Sequence, residues 1–485
     1  MTAMVKDSLT GAPAAKFETW EDIDWPQVEK QVRRLQMRIA KATRDRKFGK
    51  VKSLQWLLTH SYYGKLMAIK RVSSNTGAKT PGVDGVLWNT SKRKLTAVSH
   101  LNRRGYRPQP LRRIYIPKKN GQKRPLGIPS MQCRGQQSLH LLALEPVAET
   151  MCDPNSYGFR AKRSCADAIE QCFNIYSRKR SARYVLEGDI RSCFDEISHE
   201  WLANNIPMDK SILKKWLKCG YVDQGKLFPT MEGTPQGGII SPTLLNLTLL
   251  GLEAKVRNAM KPLDKVHMVT YADDFVISCG SREVLEKQVK PVVVEFLKER
   301  GLTLSEKKTV ITDIDKGFDF LGHNVRKYKG KLLIKPSKRN VKAFLSKVRA
   351  TIKQYPTCKT ENLIRILNPM IIGWANYFRH VVSKKTYNYV DHQIYKALWA
   401  WARRRHPQKS SAWVWKKYFA EKNLKGVLSI YVTGKSGPKR LSLARAASTP
   451  IRRHVKIKAC ANPFDPEYHD YFAKRDRKVK RVVDG

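Results

Sequence analysis

Three aspartates carry the chemistry this chain can do. Asp273 and Asp274 are adjacent, flanked by the apolar runs Met268-Val-Thr-Tyr271 and Phe275-Val-Ile-Ser278, and Asp189 closes a third run, Tyr184-Val-Leu-Glu-Gly188. Neighbouring carboxylates repel, and between strand-like runs they are costly without a cation. A tight hairpin would hold the pair at its tip, where at least one could bind a divalent metal. Taken alone, Tyr271-Ala-Asp-Asp274 reads equally as a solvated acidic turn. Asp189 changes the balance: if its strand neighbours the hairpin, three carboxylates converge. Asp189 and Asp273 could then clamp two Mg²⁺ ions about 3.5–4 Å apart, the arrangement used for in-line phosphoryl transfer. Hard oxygen donors suit Mg²⁺, and no His/Cys set stands nearby to favour Zn²⁺.

Other elements must bring these acids together. Asp24-Trp-Pro26 opens a helix along which Val28, Val32, Leu35 and Ile39 recur at helical spacing, and a second helical stretch covers Phe48 to Val72. Thr80-Pro-Gly-Val-Asp-Gly85 is a turn. Leu111–Pro117 and Arg124–Pro129 alternate as a basic hairpin, and helices follow over Arg134–Met151 and Ala166–Arg178. Gly233-Thr-Pro-Gln-Gly-Gly238 is an irregular loop, and a single helix is expected over Pro242–Val256. Glu283–Arg300 is amphipathic and stops at Gly301. From Arg326 to Lys353 there are eleven Lys/Arg and no acidic residue, a composition shift that marks a separate basic region. Helices are expected over Val341–Ile352, Asn362–His380 and Tyr387–Arg405.

Composition narrows the partner. The 485 residues suffice for two to four domains. Lys and Arg total 93 against 41 Asp and Glu, a net charge of +52, and such self-repulsion calls for a polyanion, with nucleic acid favoured over an anionic membrane. No apolar run reaches the roughly 18 residues of a membrane span. The nine cysteines are scattered with no Cys-x-x-Cys pair, which speaks against a zinc cluster and for reduced thiols in the cytoplasm. The acidic, unpatterned first 24 residues resemble no targeting peptide.

The motifs, taken in order, resemble a known family. Gly188-Asp-Ile-Arg-Ser-Cys-Phe-Asp195, Gly233–Pro242 and Tyr271–Asp274 are similar to the palm of reverse transcriptases, specifically the group II intron (maturase) kind. Flanking blocks agree: Arg124-Pro-Leu-Gly-Ile-Pro129, Ser156-Tyr-Gly-Phe-Arg160, Gly301-Leu-Thr-Leu-Ser-Glu-Lys-Lys308, Phe318-Asp-Phe-Leu-Gly322 and Gly373-Trp-Ala-Asn-Tyr-Phe378. The resemblance spans about Trp20 to Phe472. It implies an α+β right-hand polymerase: fingers and palm with an antiparallel sheet plus helices, an α-helical thumb and a small basic C-terminal domain. Its segments would be 1–85 (an RNA-binding extension), 86–325 (fingers and palm), 326–425 (thumb) and 426–485 (DNA-binding).

The resemblance also implies roles. Asp189 and Asp273 would hold two Mg²⁺ ions (Mn²⁺ as substitute), supported by Asp274. Ile190, Phe194 and Gln236 would face the nucleotide, with Phe194 excluding a ribose 2′-hydroxyl; a lone Phe otherwise reads as core. Lys118 and Arg124 would meet the triphosphate, their plainer reading being solvated charge. Arg160, Gly237, Gly238, Lys335, Lys338, Arg339 and Lys342 would contact nucleic acid, the glycines through bare backbone. Trp374, Tyr377, Phe378, Trp399 and Trp401 read as helix core. Implied partners are a group II intron RNA, an RNA template with DNA primer, target DNA and dNTPs, in a bacterial, nucleoid-associated setting, with a dimer an open option. The C-terminal region lacks paired cysteines and a His-Asn-His set, so the HNH nuclease of many relatives is expected to be absent, and His454 and His469 read as ordinary polar residues.

Rival readings differ at single positions. A viral RNA-dependent RNA polymerase would carry Gly where Ala272 stands and a ribose-compatible residue in place of Phe194. A reverse transcriptase serving phage defence or DNA repair, and a splicing-only RNA-binding maturase, share most of the motifs.

Overall fold

The computed structural model describes residues 17–117, 121, 123–234, 237–420, 426–434 and 437–483. Lys118 and Gln236 lie outside the described residues.

The first described elements are helices wrapped on a helix. α1 (Trp25–Arg44) starts where the Asp24 carboxylate accepts the Gln27 N–H, with Pro26 in its first turn, satisfying an orphan donor of the helix end. The stretch expected to be one helix is two, α2 (Phe48–His60) and α3 (Tyr62–Ser73). Ser61 between them is extended and its hydroxyl caps Gly64. α4 (Ser91–His100) follows, then the hairpin of β1 (Leu111–Pro117) and β2 (Lys123–Ile128). α5 (Met131–Met151) is buried along nearly all its length, and α1, α2 and α3 pack on it. Val28, Val32, Leu58 and Ile69 share one core with Leu139, Leu142 and Val147. Each such side chain contributes about 1.5–3 kcal/mol by leaving water, so the core is continuous across residue 85, where the sequence suggested an edge.

The central layer is built on one sheet. After α6 (Cys165–Tyr176) come β3 (Tyr184–Asp189), the short helices α7 (Cys193–Glu196), α8 (His199–Asn205) and α9 (Lys210–Leu217), and strands β4 (Tyr221–Asp223) and β5 (Lys226–Phe228). β4 lies parallel to β1, completing a sheet of order β2-β1-β4-β5. The helix expected over 242–256 is interrupted: α10 (Ser241–Thr248) and α11 (Leu252–Asn258) meet at Gly251, whose φ of +88° breaks the turn. β6 (His267–Tyr271) and β7 (Asp274–Cys279) form the acidic hairpin. α12 (Arg282–Val284) runs through a π-helical turn into α13 (Lys290–Lys298), and β8 (Val310–Asp313) completes an antiparallel sheet ordered β6-β7-β3-β8.

β9 (Phe318–Phe320), β10 (His323–Tyr328) and β11 (Lys331–Pro336) form a three-stranded sheet. The composition shift at Arg326 therefore falls inside β10 and is not a structural boundary: Val325, Leu332 and Ile334 face the core, Arg326, Lys331 and Lys335 lie more open, and Lys327, on the core face, is buried with its ammonium donating to Arg178 O and Ser181 Oγ. α14 (Lys338–Gln354), α15 (Thr360–Phe378) and α16 (Lys384–Arg405) make the helical thumb, with α17 (Ser411–Tyr418) beside it. Phe378 and Trp401 are buried in it as expected, whereas Tyr377 is 40% exposed and donates its hydroxyl to Leu321 O. β12 (Ser429–Gly434) pairs with β13 (Gly437–Ser442), and α18 (His469–Val483) ends the described chain.

The C-terminal segment is a clasp. Arg452 N–H donates to Arg379 O at 2.9 Å on the thumb, and Ile457 N–H donates to Asp167 Oδ1 at 2.7 Å on α6. Farther along, Pro463 O accepts from Arg33, and Asp465 pairs with Arg44 at 2.6 Å, both on α1.

Candidate active site

Strand register assembles the acids. β3 and β7 pair so that Asp189 stands opposite Asp274 and Gly188 opposite Phe275. A Cβ at Gly188 would lie 2.2 Å from Phe275 Cζ, so the ring lies on bare backbone and the register beside Asp189 depends on that glycine. β6 and β7 pair Tyr271 with Asp274, leaving Ala272 and Asp273 as a two-residue turn. Ala272 has φ of +57° while Asp273 does not share the positive φ, the pattern of a type II′ hairpin whose first turn position usually belongs to glycine. A left-handed Ala costs about 1–2 kcal/mol. The offset comes from packing: Ala272 is buried, and a Cβ on Gly158 would come within 2.3 Å of its nitrogen. The segment around Gly158 is itself sewn to β6 by Tyr157 N–H to Thr270 O at 2.9 Å and Thr270 N–H to Asn155 O at 3.0 Å.

The electrostatics is that of crowded acids. Burial, then the charge of Asp189, raises Asp273, against the opposing pull of Arg124 and Lys308. Asp274 reaches solvent on one side, yet burial of its other side and the charges of Asp273 and Asp189 push it up to about 6. Lys308 Nζ sits 2.8 Å from Asp189 Oδ2. That ammonium stands against Asp189 as a cation would, and in the sequence it is the last residue of the Gly301–Lys308 block, where only its type and not its position marks it. Among the described residues no three His, Cys, Asp or Glu side chains are drawn close enough to ligate one ion. The donor chemistry nonetheless fits a hard divalent cation: all three groups are carboxylates, burial and then neighbouring charge make two of them hold their protons more tightly, and an exposed ammonium already compensates the third.

The other expected residues divide. Arg124 is exposed on β2, in register with Ile116, and its charge reaches Asp273. Phe194 is half-buried, and its carbonyl accepts Thr234 N–H at 2.6 Å, joining α7 to the Gly233 loop. Gly237 has φ of +114°, and a Cβ there would meet Gly127 O at 2.8 Å, so the loop rests on β2; Gly238 is buried. Lys338, Arg339 and Lys342 are exposed at the start of α14, whose Val341, Phe344 and Leu345 face inward, and Lys335 Nζ lies 4.4 Å from the Tyr328 ring centre.

Two expectations are corrected. Ile190 is buried, 2% exposed as a whole residue, and packed in the core, so its side chain does not face a nucleotide. Arg160, expected on nucleic acid, has a guanidinium 3% exposed that grips Glu149 at 2.8 Å and donates to Asp153 O and Ser156 O. A buried arginine already spent on a carboxylate and carbonyls has no donors left for phosphate. Its neighbour Phe159 is the side chain that faces outward, 54% exposed and 6.4 Å from Phe194, ring centre to ring centre.

Comparison with known proteins agrees with the geometry. Residues 116–325 match the family described as reverse transcriptase (RNA-dependent DNA polymerase), residues 20–101 its N-terminal domain, and residues 341–419 the group II intron maturase-specific domain. Protein YkfC of Escherichia coli is 34% identical over 52% of this chain and 77% of its own length. The group II intron-encoded protein LtrA of Lactococcus lactis is 31% identical over 54% of this chain and 54% of its own, so the match spans about half of that relative. A 91 kDa protein in the cob intron of Schizosaccharomyces pombe is 26% identical over 66% of this chain and 50% of its own.

Proposed function

Since the chain belongs to the group II intron-encoded reverse transcriptase/maturase family and is an RNA-directed DNA polymerase, we propose that it binds its own structured intron RNA, assists its splicing and copies it into DNA from a primer in target DNA. The observation that carries the catalytic half is the register that places Asp189 opposite Asp274 with Asp273 at the turn between. Divalent metal dependence follows from the family; Mg²⁺, with Mn²⁺ as substitute, is the ion this hard carboxylate set favours. Asp189 and Asp273 hold it, and Asp274 supports them. When bound, the metal supplies charge stabilisation at the primer 3′-oxygen and at the leaving pyrophosphate. Lys308 moves from Asp189 towards the anionic groups that arrive with the nucleotide, and Arg124 meets the triphosphate by its fork of donors. Phe194 lies beneath the incoming sugar, and Gly237 lets backbone approach the nucleotide or template.

The nucleic-acid grip is distributed. The exposed Lys338, Arg339 and Lys342 line up along the start of α14 to follow duplex phosphates, and the N-terminal helices and the basic C-terminal clasp take intron RNA and target DNA. Among the described residues no helix is long and apolar enough to cross a membrane, and the +52 charge supports association with nucleic acid in the cell. In a test with purified protein, a DNA primer is extended on an RNA template with Mg²⁺ and dNTPs, and Asp273→Ala abolishes this; full activity in that variant overturns the metal assignment. Protein-dependent splicing of a cognate intron at low Mg²⁺ tests the maturase half. Extension without any such splicing favours a defence or repair enzyme.

A further inference from the structure

Phe159 is the side chain in this region that stability does not account for. Its backbone is left-handed, φ +58°, a region that a bulky L-residue enters only when its surroundings force it. The ring gains little from burial in return, since the residue is 54% exposed. The forcing is visible on both sides. Before it, Gly158 has no room for a Cβ against the Ala272 turn, and its carbonyl accepts Asn246 Nδ2–H at 2.9 Å. After it, Arg160 is locked to Glu149 and to two backbone carbonyls. The chain thus fixes the residues either side of an exposed phenyl ring and sets that ring against Phe194.

The two rings lie edge to face, centres 6.4 Å apart and planes at 69°, the geometry favoured by aromatic quadrupoles. Phe194 is fixed at its backbone by Thr234 N–H at 2.6 Å. That bond leaves its side-chain rotation to its neighbours, the core it packs against and the ring of Phe159. We propose that Phe159 is a positioning residue for sugar selection: its ring holds the Phe194 ring in the rotamer that closes the space beside the incoming ribose 2′-carbon. This rests on the reading of Phe194 given above. A strained, exposed ring is then the cost of a rigid selector, because a small residue at 159 would leave Phe194 free to swing.

The test uses the full chain in primer extension on an RNA template with Mg²⁺, reading kcat/KM for a dNTP over that for the matching rNTP within each variant, so that a general loss of activity cancels. Phe159→Gly removes the ring and also relaxes the left-handed backbone, so a misfolded loop does not explain its effect; a melting temperature at or above that of the unmodified chain verifies this. The dNTP/rNTP ratio falls by about three- to ten-fold, the range that aromatic pair contacts convert to, and Phe159→Tyr restores it. In a Phe194→Val background, where the ratio is already relaxed, Phe159→Gly adds nothing further. If Phe194→Val shifts the ratio and Phe159→Gly leaves it unmoved, or the two effects simply add, the positioning role is wrong while the reading of Phe194 stands. If Phe194→Val leaves the ratio unmoved, both fall together.

Discussion

Two clusters of acid and base lie on neighbouring elements of this molecule and behave in opposite ways. At Asp189, Asp273 and Asp274 the carboxylates face one another, and Asp273 and Asp274 hold their protons more tightly than usual. At Asp167 on α6 the side chain is fully buried, yet its carboxyl is held down at about 2, because His454, Ile457 and Ser164 outweigh the burial. The donors are close: Ser164 N–H at 2.9 Å, Ser164 Oγ–H at 2.8 Å, Ile457 N–H at 2.7 Å and Arg475 Nη2 at 3.0 Å, with His454 Nε2 at 2.8 Å. Burial alone therefore does not say what an acid is for. An acid whose lone pairs are all taken is a fastener, and acids that crowd one another are waiting for a cation.

The sharpest way to break the comparison is to neutralise one acid of each kind. Asp273→Asn lowers primer extension by on the order of 10³-fold or more, the scale of losing a two-metal ligand, while thermal stability holds or rises because repulsion is relieved. Asp167→Asn does the reverse. It costs about 3 kcal/mol by leaving Arg475 without its buried partner, and denaturant melts together with limited proteolysis of the 450–475 segment register the loss. Equal stability losses in both variants would erase the distinction.

Acid pH acts on the clasp side next. The His323 ring, fully buried between Tyr377, Phe378 and His380, is held at about 3 by burial and by His380. His380, beside His454, is held at about 4. Both folded values lie below the ordinary 6.5, so their stability is present above that pH and is lost as pH falls towards 4 and 3. Between pH 7 and 5 His323 alone removes on the order of 2 kcal/mol, and a melting temperature that stays flat over that range contradicts the assignment. The smallest effect is at Lys308. Its side chain is 66% exposed, so Lys308→Met changes stability by less than about 1 kcal/mol. Removing the ammonium that competes for Asp189 lowers the half-saturating Mg²⁺ for extension by about three-fold. A rise in the Mg²⁺ requirement would show that Lys308 assists metal binding instead.

The sequence made the crowded acids legible and left the fastened one invisible. Asp189 at the end of an apolar run and Asp273 at a turn announce themselves through strand periodicity and turn chemistry, which are local. Arg160 reads as a nucleic-acid contact because an arginine is ordinarily outside; its burial depends on Glu149, eleven residues away on another element. The Asp167 contact with His454 spans 287 residues, and no local pattern encodes it, so His454 read as an ordinary polar residue. Lys308 was hidden for a different reason, being one of 93 basic side chains until β8 brought it beside β3. The helix breaks at Ser61 and Gly251 were carried by single residues inside apolar stretches that periodicity alone runs together.

The clasp also has a meaning in time. Arg44 and Asp465 are 421 residues apart, and at ordinary rates of translation roughly 20 to 80 s separate their emergence from the ribosome. The helices around α5 can gather as they are made, and the sheet that carries the acids can follow. The tie between the first helix and the thumb has to wait for the segment that carries Arg452 and Asp465. A nascent chain thus carries its basic helices without the clasp until that segment emerges, when the RNA that encoded it is still within reach.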